Sequence, residues 1–487
     1  MRLLEEVRSL LATASQVYAG TPQSAQVEAE RVRLDEPLRV AIAGKVKAGK
    51  STLLNALVGE ELAPTDAGEC TKIVTWYRDG ITYRVTMHPK EGAPRQVPFS
   101  RDGGAIDVDL QGTPADDVGR LDIEWPSSSL RTITLIDTPG IASLSTDVSA
   151  RTTAFLAPTD DLATPADAVL YLMRHLHTTD IGFLEAFHDQ EVAQATPVNA
   201  IAVLSRADEI GVGRLDSMAS ASRIANRYKH DPKVRRLCQT VVPVAGLLAQ
   251  SGSTLREAEF KALQQLADAP AEDAERLFLS ADRFAQASTP IPLTNMEREH
   301  LLDRFGLFGV RLGAALIRQG AATTSNQLAN ELVLRSGLVE LRQVLLSQFA
   351  SRRDVLKARA ALLALEAIVR DAPVAGGEHL ASELERITAG AHEFAEVRLL
   401  NALRSGAVKV KSVEAEEMER MLGADGPSAV TRLGLEADAS DGEIRMALQH
   451  AIARWQRRAE NPLSNRDVTD ASRVLIRTCE GLLADVG

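Results

Sequence analysis

Aromatic residues are scarce in this chain, 4% of 487 residues, and there are three cysteines, Cys70, Cys238 and Cys479. An odd, widely spaced set of thiols forms neither a disulfide framework nor a zinc signature, and reads as reduced cytosolic cysteine. No run approaches the ~18 apolar residues of a transmembrane helix. The longest candidate, around Leu362 to Val369, is interrupted by Glu366. The opening MRLLEEVRSLLATA places Glu5 and Glu6 where a signal peptide needs an unbroken apolar stretch, so it reads as an amphipathic helix. Positive charge is also short: Lys plus Arg is 55 against 66 for Asp plus Glu, a net charge of −11. That balance argues against a nucleic-acid binder, whose affinity rests on neutralising phosphates. It leaves room for a local basic patch. The expectation is a cytoplasmic protein whose membrane contact, if any, is peripheral at the inner face.

What is present is the balance of an ordinary globular protein, 45% apolar and 25% charged. Its length implies about three structural units. Residues 1–34 read as helices, broken at Gly20-Thr21-Pro22. Short apolar runs then alternate with helical stretches: Leu38 to Ala43, Leu121 to Trp125, Thr132 to Asp137, Ala168 to Met173, Ala200 to Ser205 and Val241 to Val244. That alternation indicates a mainly parallel sheet covered on both faces. Residues 89–119, rich in Gly, Pro and Asp, read as an inserted surface loop. Beyond about residue 255 the texture is helical. Leu338, Leu341, Leu345 and Phe349 form the stripe of a helix packing into a bundle, running from Ser336 to Asp371. A second helix over about 378–403 would complete an antiparallel hairpin. The fold class is therefore an α/β P-loop domain, over 35–335, with an α-helical neck and trunk assembled from 1–34 and 336–487.

The sharpest chemical signal is Gly44-Lys45-Val46-Lys47-Ala48-Gly49-Lys50-Ser51, followed by Thr52. It lies between an apolar strand and a helical stretch, the context in which backbone N–H groups and a helix N-terminus cradle phosphates. Lys50 would reach the β- and γ-phosphates, and the Ser51 hydroxyl would ligate Mg2+. Asp137-Thr138-Pro139-Gly140 ends a later strand, where a carboxylate holds magnesium through water and the next turn senses the γ-phosphate. Thr65, Thr71 and Thr75 are all within reach of the metal by sequence, and Thr71 is singled out as the switch threonine. Ser205-Arg206-Ala207-Asp208 follows the guanine-reading T/N-K-x-D pattern. The Asp208 carboxylate can accept from guanine N1–H and N2–H₂, donors that adenine lacks; a plain helix cap is the alternative. Val244, Ala245 and Gly246, at the end of a further strand, would close over the base.

These motifs occur in GTPase order, and with the flanking helices they resemble bacterial dynamin-like GTPases, particularly the smaller isoniazid-inducible proteins of actinobacteria. GKVKAGKSTLLNALVGEELAPTDAGECTKIVTW, SRADEIG and LDRFGLFGVR through SGLVELR carry the resemblance. It implies GTP hydrolysis to GDP and phosphate, self-association through GTPase heads, membrane remodelling and a link to cell-wall drug tolerance. One departure is Val46, at the position where eukaryotic dynamins carry the Gln that orients the attacking water, which implies slow turnover. Lys47 matches the position of the intramolecular arginine finger of guanylate-binding proteins and could supply charge in cis; a solvated lysine is the alternative.

Several features carry less. His175 and His177, near Asp180, read as a strand-to-helix connection rather than a metal site. Cys70 reads as an ordinary small side chain, and the run Lys229, Lys233, Arg235 and Arg236 as a solvated face. Candidate membrane contacts are Val374, in the expected hairpin turn, and Lys409 with Lys411, between Val408 and Val410. Two other functions stay open: a GTP-switched scaffold or partner of a larger dynamin-like protein, and a ribosome-associated GTPase, which would need a basic RNA-binding module that the sequence lacks.

Overall fold

The computed structural model describes residues 2–64, 73–101, 104–139, 166–176, 180–181, 184, 199–211, 213–349 and 352–486. Its central sheet takes the order β11-β10-β9-β1-β8-β2-β7-β3-β4. These are β11 (Val241–Val244), β10 (Ala200–Ser205), β9 (Ala168–Met173), β1 (Leu38–Gly44), β8 (Ile133–Asp137), β2 (Thr75–Asp79), β7 (Val118–Trp125), β3 (Arg84–Pro89) and β4 (Arg95–Gln96). From β11 to β8 every pairing is parallel. β2 turns antiparallel to β8, and β3 is antiparallel to both β7 and β4. β9 and β10 are buried at every position, which explains their unbroken apolar sequences: helices cover both faces. Val40 and Ile42 pack towards helix Lys50–Val58, while Ala41 and Ala43 share the opposite core with Ala221 and Ala225 of helix Ser217–Lys229.

Three further cores follow the sheet's two. Helices between residues 245 and 332 pack around Phe260, Phe284 and Phe305. Leu3, Val7 and Leu11 of helix Arg2–Val17, with Tyr18 just past its end, meet Ala358, Leu362, Leu365 and Leu384. Leu400, Met418, Leu448, Trp455 and Leu475 hold the C-terminal helices together.

The structure corrects four expectations. Leu338, Leu341, Leu345 and Phe349 do not enter a helical bundle; they complete the sheet's core beside Leu53 and Leu57. Periodicity shows that a face is buried without showing against what. Arg342 on this helix donates to the carbonyls of Ala56 and Leu57 (3.0 and 3.2 Å), satisfying buried acceptors in the last turn of helix Lys50–Val58. The single helix expected from Ser336 to Asp371 is divided into Leu338–Val344, a π turn at Leu345–Phe349, and Arg353–Asp371. The last piece has 19 residues and spans ~28 Å rather than the ~50 Å of an unbroken helix. The second helix is likewise two, Gly377–Gly390 and His392–Ser405, because Ala391 takes an extended ψ of 125°. The loop over 89–119 contains β4 and the hairpin of β5 (Phe99–Arg101) with β6 (Ile106–Val108), since Val97, Ile106, Val108 and Leu110 reach the core.

Candidate functional site

β1 lies between β8 and β9, and its last residue sits opposite Leu172. A Cβ on Gly44 would stand 2.6 Å from the Leu172 carbonyl oxygen, so only glycine fits there. The loop then turns through Lys47 (φ 61°) and Gly49 (φ 92°), and Gly49 caps helix Lys50–Val58. The first N–H groups of that helix face the loop without intrahelical acceptors, which makes an anion cradle. Lys50 Nζ lies 3.5 Å from the Gly44 carbonyl oxygen. Burial pulls its pKa down, with Asp137 opposing the shift. Ser51 Oγ donates to Asp137 Oδ2 at 2.9 Å. The other Asp137 oxygen is buried without a hydrogen-bond partner among the described residues, and burial pushes the carboxyl pKa up. A hydroxyl beside a carboxylate with an unfilled oxygen is a donor set suited to a hard divalent cation.

Lys45 turns from the loop towards Asp180, 3.2 Å away, a buried carboxylate that also accepts from the Tyr171 hydroxyl at 2.7 Å. Val46 and Lys47 are exposed. Arg174, just past the end of β9, donates to the Lys47 carbonyl at 3.4 Å. Thr138 Oγ1 donates back to Ile42 on β1 at 2.9 Å, fixing the end of β8 beside the loop.

At the other end lies a cavity with an empty volume of about 550 Å³, lined by Ala48, Gly49 and Thr52, then Ser205, Arg206 and Asp208, then Val244 and Gly246. The three motifs therefore share one space. Ser205 Oγ donates to the Met173 carbonyl, and Arg206, at φ 52°, pairs with Glu209 at 2.5 Å. Asp208 is buried, and burial with help from Glu209 pushes its carboxyl up to about 6. Ala245 N–H bonds the Ser336 carbonyl at 2.9 Å, tying the base-side loop to the start of helix Leu338–Val344. Thr71, Gly140, Cys70 and His177 lie outside the described residues. Among those described, no group of His, Cys, Asp and Glu gathers into a metal site.

Sequence reasoning overlooked Arg174 and the contact of Asp180 with Lys45. Both sit in the RHLHTTD stretch, where the histidines drew attention instead of the charged groups beside them. Away from the site, Val374 is half-buried against the core around Tyr18. Lys409 and Lys411 are exposed, while Val408 and Val410 turn into the C-terminal core. No helix among the described residues is long and apolar enough to cross a membrane.

Residues 40–194 match the sequence model of the dynamin family. The isoniazid-induced protein IniC of Mycobacterium tuberculosis, in two strains, is 41% identical over 492 aligned positions, covering 100% of this chain and 99% of that protein. The chain belongs to the bacterial dynamin-like GTPases. A bacterial dynamin-like protein of Nostoc punctiforme shares 31% identity over 157 residues, 30% of this chain and 21% of its own length. A solved structure of an oligomerised bacterial dynamin pair aligns at 13% identity and TM-score 0.33, covering 100% of this chain and 74% of that one. GTP hydrolysis is the reaction of this dynamin-like family, and guanine nucleotide is its ligand.

Proposed function

We propose that this dynamin-like GTPase hydrolyses GTP with Mg2+ at the loop Gly44–Thr52, and couples turnover to head association and to remodelling of the inner face of the cytoplasmic membrane. By kinship with isoniazid-induced relatives, it would serve the response to cell-wall drugs. The observation that carries the reading is the shared cavity, in which the phosphate loop, Asp208 and the loop Val244–Gly246 line one space. Loop N–H groups and Lys50 would bind the phosphates, and Asp208 would accept from the guanine edge while Val244, Ala245 and Gly246 close over the base. Ser51, with Asp137 through water and Thr71 from the switch segment, would hold the metal. When bound, Mg2+ neutralises charge on the β- and γ-phosphate oxygens. Lys47 would add positive charge once two heads meet. Valine at position 46 cannot orient water, so basal turnover should be slow. The test is GTP turnover against protein concentration, with and without anionic liposomes, beside ATP as control. Faster turnover with concentration and lipid supports the reading, and equal use of ATP removes it.

A second reading, a GTP-switched scaffold or a partner of a larger dynamin-like protein, draws support from one observation. Val374, Val408 and Val410 pack into cores and offer no apolar anchor. Rising turnover with concentration but no liposome flotation would favour it.

A further inference from the structure

The basic groups around the phosphate loop have different surroundings. Lys50 lies against the Gly44 carbonyl within the loop, and Lys45 is drawn away to Asp180. Arg174 approaches from outside the motif. Leu172 is in register with Gly44, so Arg174, two residues on and just past the end of β9, emerges at the C-terminal edge of the parallel strands. Ligands of open α/β sheets bind at that edge. Its guanidinium donates to the Lys47 carbonyl at 3.4 Å and is otherwise exposed. That carbonyl takes one of five N–H donors and none of the charge, leaving a planar fork at the rim of the cradle. The loop itself presents an apolar Val46 at the rim, 46% exposed, beside the exposed Lys47 side chain, whose single ammonium lacks a planar fork.

We propose that Arg174 is a catalytic residue, a guanidinium held in cis by the Lys47 carbonyl that contacts the γ-phosphoryl and β–γ bridging oxygens of bound GTP. The proposal rests on the GTP-hydrolysis reading of this site. In the step it assists, a water oxygen forms the new bond to the γ-phosphorus while the bond to the β–γ bridging oxygen breaks. GDP keeps that bond's electron pair, and the water proton ends on the phosphate product. Arg174 exchanges no proton; its permanent charge offsets negative charge building on the oxygens it touches. A guanidinium suits this better than an ammonium, because its fork bonds two phosphate oxygens at once and sheds water more readily.

The decisive variant is Arg174→Gln, since a glutamine amide can still donate to the Lys47 carbonyl while carrying no charge. Full-length protein is assayed for single-turnover GTP hydrolysis, GDP affinity, thermal midpoint and trapping of GDP with aluminium fluoride, which mimics the transferred phosphoryl group. Arg174→Gln should lower kcat about 10³-fold, within the range for arginine fingers. It should keep near-wild-type GDP affinity and thermal midpoint, and lose aluminium fluoride trapping. Arg174→Lys should recover part of kcat. Wild-type kcat in Arg174→Gln would overturn the proposal, as would a fall in kcat matched by lost GDP affinity, which marks a loop-positioning role. A wild-type protein that binds no guanine nucleotide would instead sink the site reading, and the proposal with it.

Discussion

Gly337 and Pro243 approach so closely that a Cβ on Gly337 would lie 2.1 Å from the Pro243 carbonyl oxygen. Gly337 also holds φ 81°, and its neighbour Ser336 accepts the Ala245 N–H. The start of helix Leu338–Val344 is thus fastened by backbone to the loop lining the base side of the cavity. Gly337→Ala adds left-handed strain of ~1–2 kcal/mol to a backbone clash, so its total cost should exceed ~2 kcal/mol. Differential scanning fluorimetry should show a lower melting temperature, and titration with a fluorescent GTP analogue a weaker affinity. An unchanged melting temperature would mean that the junction relaxes freely.

Asp208 gives the site a pH dependence. Burial, helped by Glu209 and opposed by Arg206, raises its carboxyl to about 6. Guanine donors need the ionised form, so the free protein must lose a proton to bind below that value. GTP affinity should therefore rise about tenfold per pH unit on approaching 6 from below, and level off above it. Asp208→Asn should remove this dependence, cost up to ~10⁴-fold in GTP affinity and shift preference towards xanthine nucleotides. Isothermal titration between pH 5 and 7.5 checks this; a flat wild-type profile would rule out Asp208 as the base reader.

The contrast between legible and hidden parts has physical causes. β9, β10 and β11 could be bounded to the residue because strands buried on both faces read as near-continuous apolar runs. The phosphate loop announces itself because its glycines answer local backbone demands. β5 and β6 are short and stand among Gly and Pro, although the alternation Ile106, Val108, Leu110 was a usable signal. β3 carried a similar alternation at Val85 and Met87, whereas β2 buries the adjacent Trp76 and Tyr77. The turn of Leu345–Phe349 and the packing of the leucine stripe depend on contacts distant in sequence. Arg174 acquires its place only through the register of β9 with β1, which no local pattern reveals.

A buried charge cluster joins the sheet to helix Arg353–Asp371. Asp167 accepts from Arg33 at 2.6 Å and from the Arg39 backbone N–H at 2.8 Å, and lies 3.7 Å from Lys357. Lys357 in turn donates to the Arg33 carbonyl at 2.7 Å. Removing one member leaves the other charges buried, so Asp167→Ala should cost about 3–5 kcal/mol. Urea unfolding monitored by circular dichroism measures it. A loss below about 1 kcal/mol would show that water replaces the carboxylate.

Lys47 tests how far head association contributes to the reaction. Its backbone sits at φ 61° and its carbonyl is held by Arg174, while its side chain is exposed on the outer surface of the loop. An ammonium so placed interacts weakly with bound nucleotide in water, and strengthens once an apposed head excludes solvent and lowers the local dielectric. Lys47→Ala should therefore keep most GTP affinity and lower kcat, the signature of a contact made mainly in the transition state. The rise of specific activity with protein concentration should disappear as well. Turnover measured across a range of protein concentrations separates the outcomes. Wild-type kcat and an intact concentration dependence would leave Lys47 a solvated side chain, whereas weakened binding with unchanged kcat would make it a ground-state phosphate contact.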